Sequence, residues 1–540
     1  MPQETPVLIV GAGPVGLALA GDLGWRGVAC TVIEQSDGAI FQPRQDLVGI
    51  RTMEFCRRWG IVGAVEASPY PRDYPQDNVY IAGSLSGGWE IGRHPVPAMD
   101  DARPPPQSPQ KRERCPQNMF DPVLRDFAAS HDCVDLLYRR RLVAFEQDAD
   151  GVAATVADEA AGGETTMRAA CLVGCDGAGS LVRERLGIGM EGDPALTYTT
   201  NVIFRCAGLE SLHPLAPGYR FIFIGDEGTW ATLVAIDGRD QWRFSIIRSG
   251  ARREAPPESQ IRAAIRRAVG RDFDYEILSV VPWVRRELVA ERYQDGRVFI
   301  AGDAAHVTSP TGGFGMNTGV GDVVDLSWKL DAVMAGWGGG ALLDSYTVER
   351  RPVAMRNVRE ASGNLARMLS PQPPPDFLAD TPDGAERRAR LGAEFADAMS
   401  REWNTLGIHL GYVYEDSPVC VPDGTPPPPM DHATYVQTAR PGSRAPHVRL
   451  ADGRSTLDLF GRGFVLLALG QDVPDTAAME DAAASRGVPL ATARLDEPEV
   501  TAVYRAALVL VRPDGHVAWR GDALPDDPGA ILDRVRGAAK

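Results

Sequence analysis

The chain predicts an α/β protein in which a discontinuous parallel-sheet domain is interrupted by an antiparallel lobe and followed by long helices and a small C-terminal α/β domain. Three observations predict this. Short apolar runs meet a glycine turn near residues 7–16, 172–180 and 297–303; four β-like runs lie between the second and third of these; and four prolines at 426–429 precede a last strand and helix pattern.

The first unit reads Val7-Leu8-Ile9-Val10-Gly11-Ala12-Gly13-Pro14-Val15-Gly16-Leu17-Ala18-Leu19, a β-branched strand, a glycine turn and an apolar helix. That is how a Rossmann-like dinucleotide-binding unit begins. Gly11 permits the tight turn, Gly13 lets a pyrophosphate approach the backbone, and Gly16 lets helix and strand pack closely. Pro14 and Val15 open the helix, whose free N–H groups and positive dipole end face the phosphates. After a second strand at 29–33, Glu34 is placed to accept hydrogen bonds from the ribose hydroxyls. An acid there selects an unphosphorylated ribose, as in FAD or NAD.

Two readings stay open for Arg44 in the next loop: a solvated charge, or a bidentate clamp on the pyrophosphate. Residues 51–59 read as a helix. Residues 69–114 are rich in proline, glycine and charge and read as a long functional insert, with 95–109 as a cover. Helical pattern returns over 117–130, with Phe120, Leu124 and Phe127 on one stripe. Runs at 134–138, 142–145 and 152–156 alternate as an antiparallel meander.

Beyond the second glycine turn, β-like runs at 202–206, 220–224, 229–236 and 242–247 predict a largely antiparallel sheet, and 260–269 a helix on it. Residues 297–306 return the chain to the first domain, and Pro310-Thr311-Gly312-Gly313-Phe314-Gly315-Met316-Asn317 leads into a long helix. Helices continue to about residue 407. Past the extended tetraproline linker come a strand at 463–469, a helix at 477–486 and a hairpin over 506–519. The division predicted is 1–75, 110–190 and 285–370 for the nucleotide-binding domain, 76–109 and 191–284 for the substrate-binding lobe, 371–425 for a helical segment and linker, and 426–540 for the last domain.

The 540 residues carry a net charge of −16. An acidic chain lacks the basic face that nucleic acid or an anionic membrane requires, so neither is an expected partner. No apolar run is long enough to span a bilayer, and the Met1-Pro2-Gln3-Glu4 start has no signal-peptide pattern, which predicts a cytoplasmic protein. None of the eight cysteines forms a CxxC pair and the histidines show no HExxH spacing, so neither dithiol chemistry nor a metal is expected.

Taken in order, Gly11 to Glu34, Cys175-Asp176-Gly177 and Gly302-Asp303 resemble the three fingerprints of the single-component FAD-dependent aromatic hydroxylases, the para-hydroxybenzoate hydroxylase and phenol hydroxylase family, over about the first 370 residues. The last part resembles the thioredoxin-like domain of phenol hydroxylase and its relatives, without redox cysteines. The resemblance implies that Glu34, with Gln35 beside it, holds the adenosine ribose and Arg44 the pyrophosphate. Gln117 would contact the flavin nucleotide, and the backbone at Leu142 would border the adenine. Asp176 and Arg183 fall in the motif associated with FAD and nicotinamide binding, and Asp303 would hold the ribityl chain. The carbonyl of Pro310 would face the reacting position.

The helix start can also be argued physically. Backbone N–H groups of Gly315, Met316 and Asn317 suit the negative edge of a reduced flavin, and Gly312 and Gly313 let the ring lie against the backbone. His306 reads as a buried structural histidine. The activity implied is hydroxylation of a phenolic or aromatic polyketide substrate with NAD(P)H and O2 through a flavin C4a-hydroperoxide. The alternatives are a Baeyer–Villiger or epoxidising monooxygenase of the same fold, and a non-catalytic FAD-bearing binding protein. Packing or a homodimer contact is the role left to the last domain, and a chain ending before Pro426 is expected, if soluble, to keep its flavin site.

Overall fold

The computed structural model describes residues 4–40, 42–43, 45–247 and 254–539; Arg44, the expected pyrophosphate clamp, lies outside them. The strand Glu4–Val10 is the centre of the first sheet. It pairs in parallel with Cys30–Glu34 on one side and with the end of Glu164–Gly174 on the other. Val298–Ile300 adds a further parallel strand beside Glu164–Gly174. Four stretches far apart in sequence thus build one buried parallel sheet, which is why each is a nearly continuous apolar run.

One expected pairing differs. Val134–Tyr138 does not join the meander but runs parallel to Cys30–Glu34, with Val32 opposite Leu136. Alternation marks a half-buried strand without saying which neighbour it takes. The meander consists instead of Arg140–Gln147, Val152–Asp158 and the first half of Glu164–Gly174.

The second sheet has eight strands. Met190–Arg205, Gln241–Ile247, Gly228–Ala235 and Arg220–Gly225 are antiparallel neighbours, flanked by Glu276–Ala290. The proline-rich insert supplies two strands that the sequence reading left as loop, Asn78–Ala82, parallel to Arg220–Gly225, and Trp89–His94. The insert's cover segment is anchored elsewhere: Ser108 donates to Glu54 at 2.6 Å and the Gln107 carbonyl accepts from Arg444 at 3.1 Å. One face of this sheet buries Phe221, Phe223, Trp230 and Phe244 with Ile261 and Ile265 of the helix Glu258–Val269. Period-2 alternation sends the intervening residues to the opposite face, toward the first domain.

The helix Gly315–Met334 packs against the first glycine turn. A Cβ on Gly319 would stand 2.6 Å from Val15 Cγ2 and 3.0 Å from Gly302 Cα, so glycine is required for this approach. Further along, Trp328 stacks on Trp337 and meets Phe464 of the C-terminal sheet, whose order is Leu490–Leu495, Phe464–Leu469, Leu508–Val511 and Val517–Gly521.

The C-terminal region is not a separable add-on. Arg512, wholly buried, reaches Glu349 Oε2 at 2.9 Å, Asp325 Oδ1 at 2.9 Å and Asp514 Oδ2 at 2.8 Å, while Lys329 bridges Asp325 and Glu349 at 2.7 and 2.6 Å. Arg444 pairs with Glu54 of the helix Ile50–Trp59. Cutting before Pro426 removes these partners and strands buried carboxylates and apolar surface of the core, so the expectation that such a chain, if soluble, keeps its site meets an opposing structural argument. Among the described residues no helix is long and apolar enough to cross a membrane, and no metal-binding cluster occurs.

Candidate active site

A cavity of about 340 Å³ lies where the two sheets face each other. Its first wall is built from the glycine turns. Gly13, Pro14 and Val15, Gln45 and Leu47, Gln117, Ala301 and Asp303, and Pro310 through Met316 all line it, from five separate stretches of chain.

The local geometry explains each glycine. Gly11 has φ +105°, and a Cβ there would lie 2.5 Å from the Cys175 carbonyl oxygen. A Cβ on Gly16 would sit 1.9 Å from the Gly11 oxygen. Gly13 meets nothing within 4 Å and caps the helix Pro14–Arg26 with no side-chain hydrogen bond, so its side is open to a phosphate at an uncapped helix start. Glu34 Oε2 accepts from the Ala12 N–H at 3.0 Å, and Oε1 accepts from the Ser36 N–H and hydroxyl. Its carboxylate is thereby fixed at the first turn, with exposed Gln35 beside it.

The second fingerprint is turned to support. Asp176 accepts from the Ser180 hydroxyl and the Val182 N–H, capping a short helix, and burial pushes its carboxyl up. Arg183 ties the carbonyls of Ala178 and Ala304 together at 3.3 Å, joining the second glycine turn to the third. Leu142 is a buried core residue on the strand Arg140–Gln147. Gly302 (φ +61°) donates its N–H to Asp322 at 3.3 Å. His306 hydrogen-bonds the same carboxylate at 2.7 Å, fully buried, as the structural reading of this histidine expects.

The turn before the long helix is strained for any residue but glycine: Gly312 and Gly313 have φ +88° and +68°. The Pro310 carbonyl accepts from the Gly313 N–H at 3.2 Å, yet Pro310 itself is exposed on the cavity wall. No side chain caps the helix, which leaves the first-turn N–H groups of Gly315, Met316 and Asn317 without intrahelical acceptors. The Asn317 side chain is spent on structure: Oδ1 accepts from the Gly49 N–H and the Thr52 hydroxyl, and Nδ2 donates to the Leu47 and Gly313 carbonyls.

The opposite wall is the polar part of the second sheet, and sequence reasoning named none of it. Register places Asn78, Arg220, Val234 and Arg243 side by side across four strands, with Thr232, Ser245 and Asn201 in a second row. Thr199, Trp283, Arg285, Tyr219, Arg112, Arg114, Asp46 and Glu402 complete the wall. Asp46 accepts from the Tyr219 hydroxyl and pairs with Arg114 at 2.8 Å and Arg243 at 3.5 Å. Burial opposes its charge, but these two arginines hold its carboxyl below the usual range. Arg220 pairs with Glu402 at 2.9 Å. The available signal was polar residues alternating with apolar ones inside buried strands, as in Gln241-Trp242-Arg243-Phe244-Ser245.

Residues 4–361 match the family model of the FAD binding domain, and 438–539 that of the aromatic-ring hydroxylase C-terminal region. The chain belongs to the FAD-dependent aromatic-ring hydroxylases: it is a flavoprotein monooxygenase, with FAD as its cofactor and NAD(P)H as co-substrate. Tetracenomycin B2 monooxygenase-dioxygenase of Streptomyces olivaceus is 33% identical over 98% of both chains. Among solved structures, RebC soaked with chromopyrrolic acid and holding 7-carboxy-K252c is 40% identical over the whole of both chains, with a TM-score of 0.92. The flavin-dependent monooxygenase PieE, in complex with FAD and substrate, is 30% identical over the same coverage with a TM-score of 0.88.

Proposed function

We propose that the protein hydroxylates a phenolic or polycyclic aromatic substrate held between the Gly315 helix start and the polar face of the second sheet. The observation that carries this is the single cavity joining both walls. FAD, when bound, supplies the reductive activation of O2. The residues fit that group: an open Gly13 at one helix start, Asp303 midway, and the uncapped N–H groups of Gly315 to Asn317 at the other end. In this reading Glu34 and Gln117 hold the nucleotide, while Asp176 and Arg183 act by bracing the glycine turns.

The arginines of the sheet wall favour the ionised form of a phenol, which is the more nucleophilic form toward oxygen transfer. Burial of the substrate between the walls excludes water from the reacting atoms. The test is NAD(P)H oxidation by the holoprotein with and without a polycyclic phenol under 18O2. The expected result is faster flavin reduction with the phenol and one labelled oxygen on the ring. A product carrying the oxygen within an ester or epoxide points to the Baeyer–Villiger or epoxidising alternative, and no incorporation with any phenol refutes the reading.

A further inference from the structure

The sheet wall holds five arginines, Arg112, Arg114, Arg220, Arg243 and Arg285, against two carboxylates, Asp46 and Glu402. Arg114 and Arg243 share Asp46, and Arg220 takes Glu402. Glu402 Oε1 also accepts from the Gly312 N–H, so that carboxylate is already divided between the two walls.

Arg285 is left over. It is 5% exposed, lines the cavity, and has no ion pair among the described residues. Its one hydrogen bond runs from Nε to the Thr199 hydroxyl at 3.2 Å, and Nη1 is buried with no acceptor. Burial and the positive charges of Arg220 and Arg243 push its pKa down to about 10, against the opposing pull of Glu402. Half-buried Arg112 likewise has no ion pair among the described residues. A buried guanidinium without a counter-ion carries an uncompensated desolvation cost. A ligand that brings the missing charge removes it.

We infer that Arg285 anchors a carboxylate carried by the aromatic substrate, so that the enzyme's preferred substrates are polycyclic aromatic acids. The inference rests on the reading of this cavity as the substrate site. A carboxylate matches the planar fork of a guanidinium, whereas a phenolate offers a single oxygen. Position also separates this anchor from the cofactor. Arg285 stands on Glu276–Ala290 opposite Thr197 in the sheet, whereas the phosphate-facing glycines belong to the other wall.

The experiment uses the FAD holoenzyme and a matched pair, 2-naphthoate and its neutral isostere 2-naphthamide, titrated by calorimetry without NAD(P)H. The wild type is expected to bind the acid at least about tenfold more tightly than the amide. Arg285→Gln should abolish that preference while leaving amide affinity and FAD content unchanged, and Arg285→Lys should restore part of it. Equal affinity for acid and amide in the wild type overturns the inference without any variant. So does an Arg285→Gln enzyme that keeps the preference, or one that loses acid and amide alike. A 2-naphthol titration reads the rival anion, and ionised naphthol bound more tightly than naphthoate also overturns it. Failure of the hydroxylase reading itself appears separately, as absence of phenol-stimulated flavin reduction.

Discussion

Replacing Arg512 by methionine keeps most of the side chain's volume and removes only its charge and hydrogen bonds. The guanidinium contacts Glu349 through both carboxylate oxygens, Asp325 and Asp514, at 2.5–2.9 Å, and every partner is 2% exposed or less. Burial opposes the ionisation of Glu349, but Arg512 and Lys329 hold it far below the usual range. Asp325 is pushed up to about 8, by burial first and then by its acidic neighbours Glu349 and Asp514 against the pull of Lys329 and Arg512. Without Arg512, buried Glu349 and Asp514 lose their guanidinium partner, and Lys329 alone remains to pair with Glu349. Breaking a buried pair in this way costs about 3–5 kcal/mol, a large part of the roughly 5–15 kcal/mol that holds a folded protein. Urea unfolding followed by tryptophan fluorescence reads the loss, since Trp328 and Trp337 stack beside the cluster. Arg454→Ala, at a pair more than half exposed on the arginine side, is the control and should cost under about 1 kcal/mol. A loss under about 1 kcal/mol in Arg512→Met would refute the view that these charges lock the C-terminal region to the core.

Three further outcomes are expected. Asp303→Ala should weaken FAD binding by about tenfold or more, because hydrogen bonds to a charged group are worth roughly 1.5–3 kcal/mol each; an unchanged dissociation constant by equilibrium dialysis means Asp303 does not hold the cofactor. His409 and His516 are both driven by burial down to about 4, so the fold binds fewer protons than the unfolded chain between about 4 and 6.5. That stability is complete above about pH 6.5 and is lost as the pH falls toward 4, on the order of 2 kcal/mol for each histidine by about pH 5; a urea midpoint unchanged from pH 7.5 to pH 5 argues against it. A chain ending before Pro426 should be insoluble or lack FAD, and a folded truncation with full FAD affinity would show the C-terminal contacts to be dispensable.

The glycine-turn wall was legible because its close approaches demand unusual backbone. Gly11, Gly16, Gly302 and Gly313 each sit where a side chain would collide or where φ is positive, and sequence records such positions directly as glycine. Asp176 was legible as a motif but not in its task, since only the fold shows its oxygens turned to Ser180 and Val182. The polar sheet wall was illegible for a different reason. Arg220, Arg243 and Arg285 meet because three separated strands fall into register, and no local pattern states which strands are neighbours. The insert strand Asn78–Ala82 was hidden in the same way: it completes the sheet by parallel pairing with a partner more than 130 residues later.

The helix Gly315–Met334 gives the C-terminal region a part in the site without any cysteine chemistry. Its 20 residues span about 30 Å. The first turn lines the cavity, Asp322 in the middle holds the Gly302 N–H, His306 and Arg350, and the second half delivers Asp325, Trp328 and Lys329 into the C-terminal contacts. A rigid rod fixed at its far end and its middle cannot tilt at its first turn. The direction in which the Gly315, Met316 and Asn317 N–H groups point is therefore set partly by Arg512 and Phe464, well over a hundred residues further along the chain. In the function proposed above, those N–H groups stabilise charge only when held in place before it develops, and on that reading the buried ion cluster serves the site by keeping their orientation.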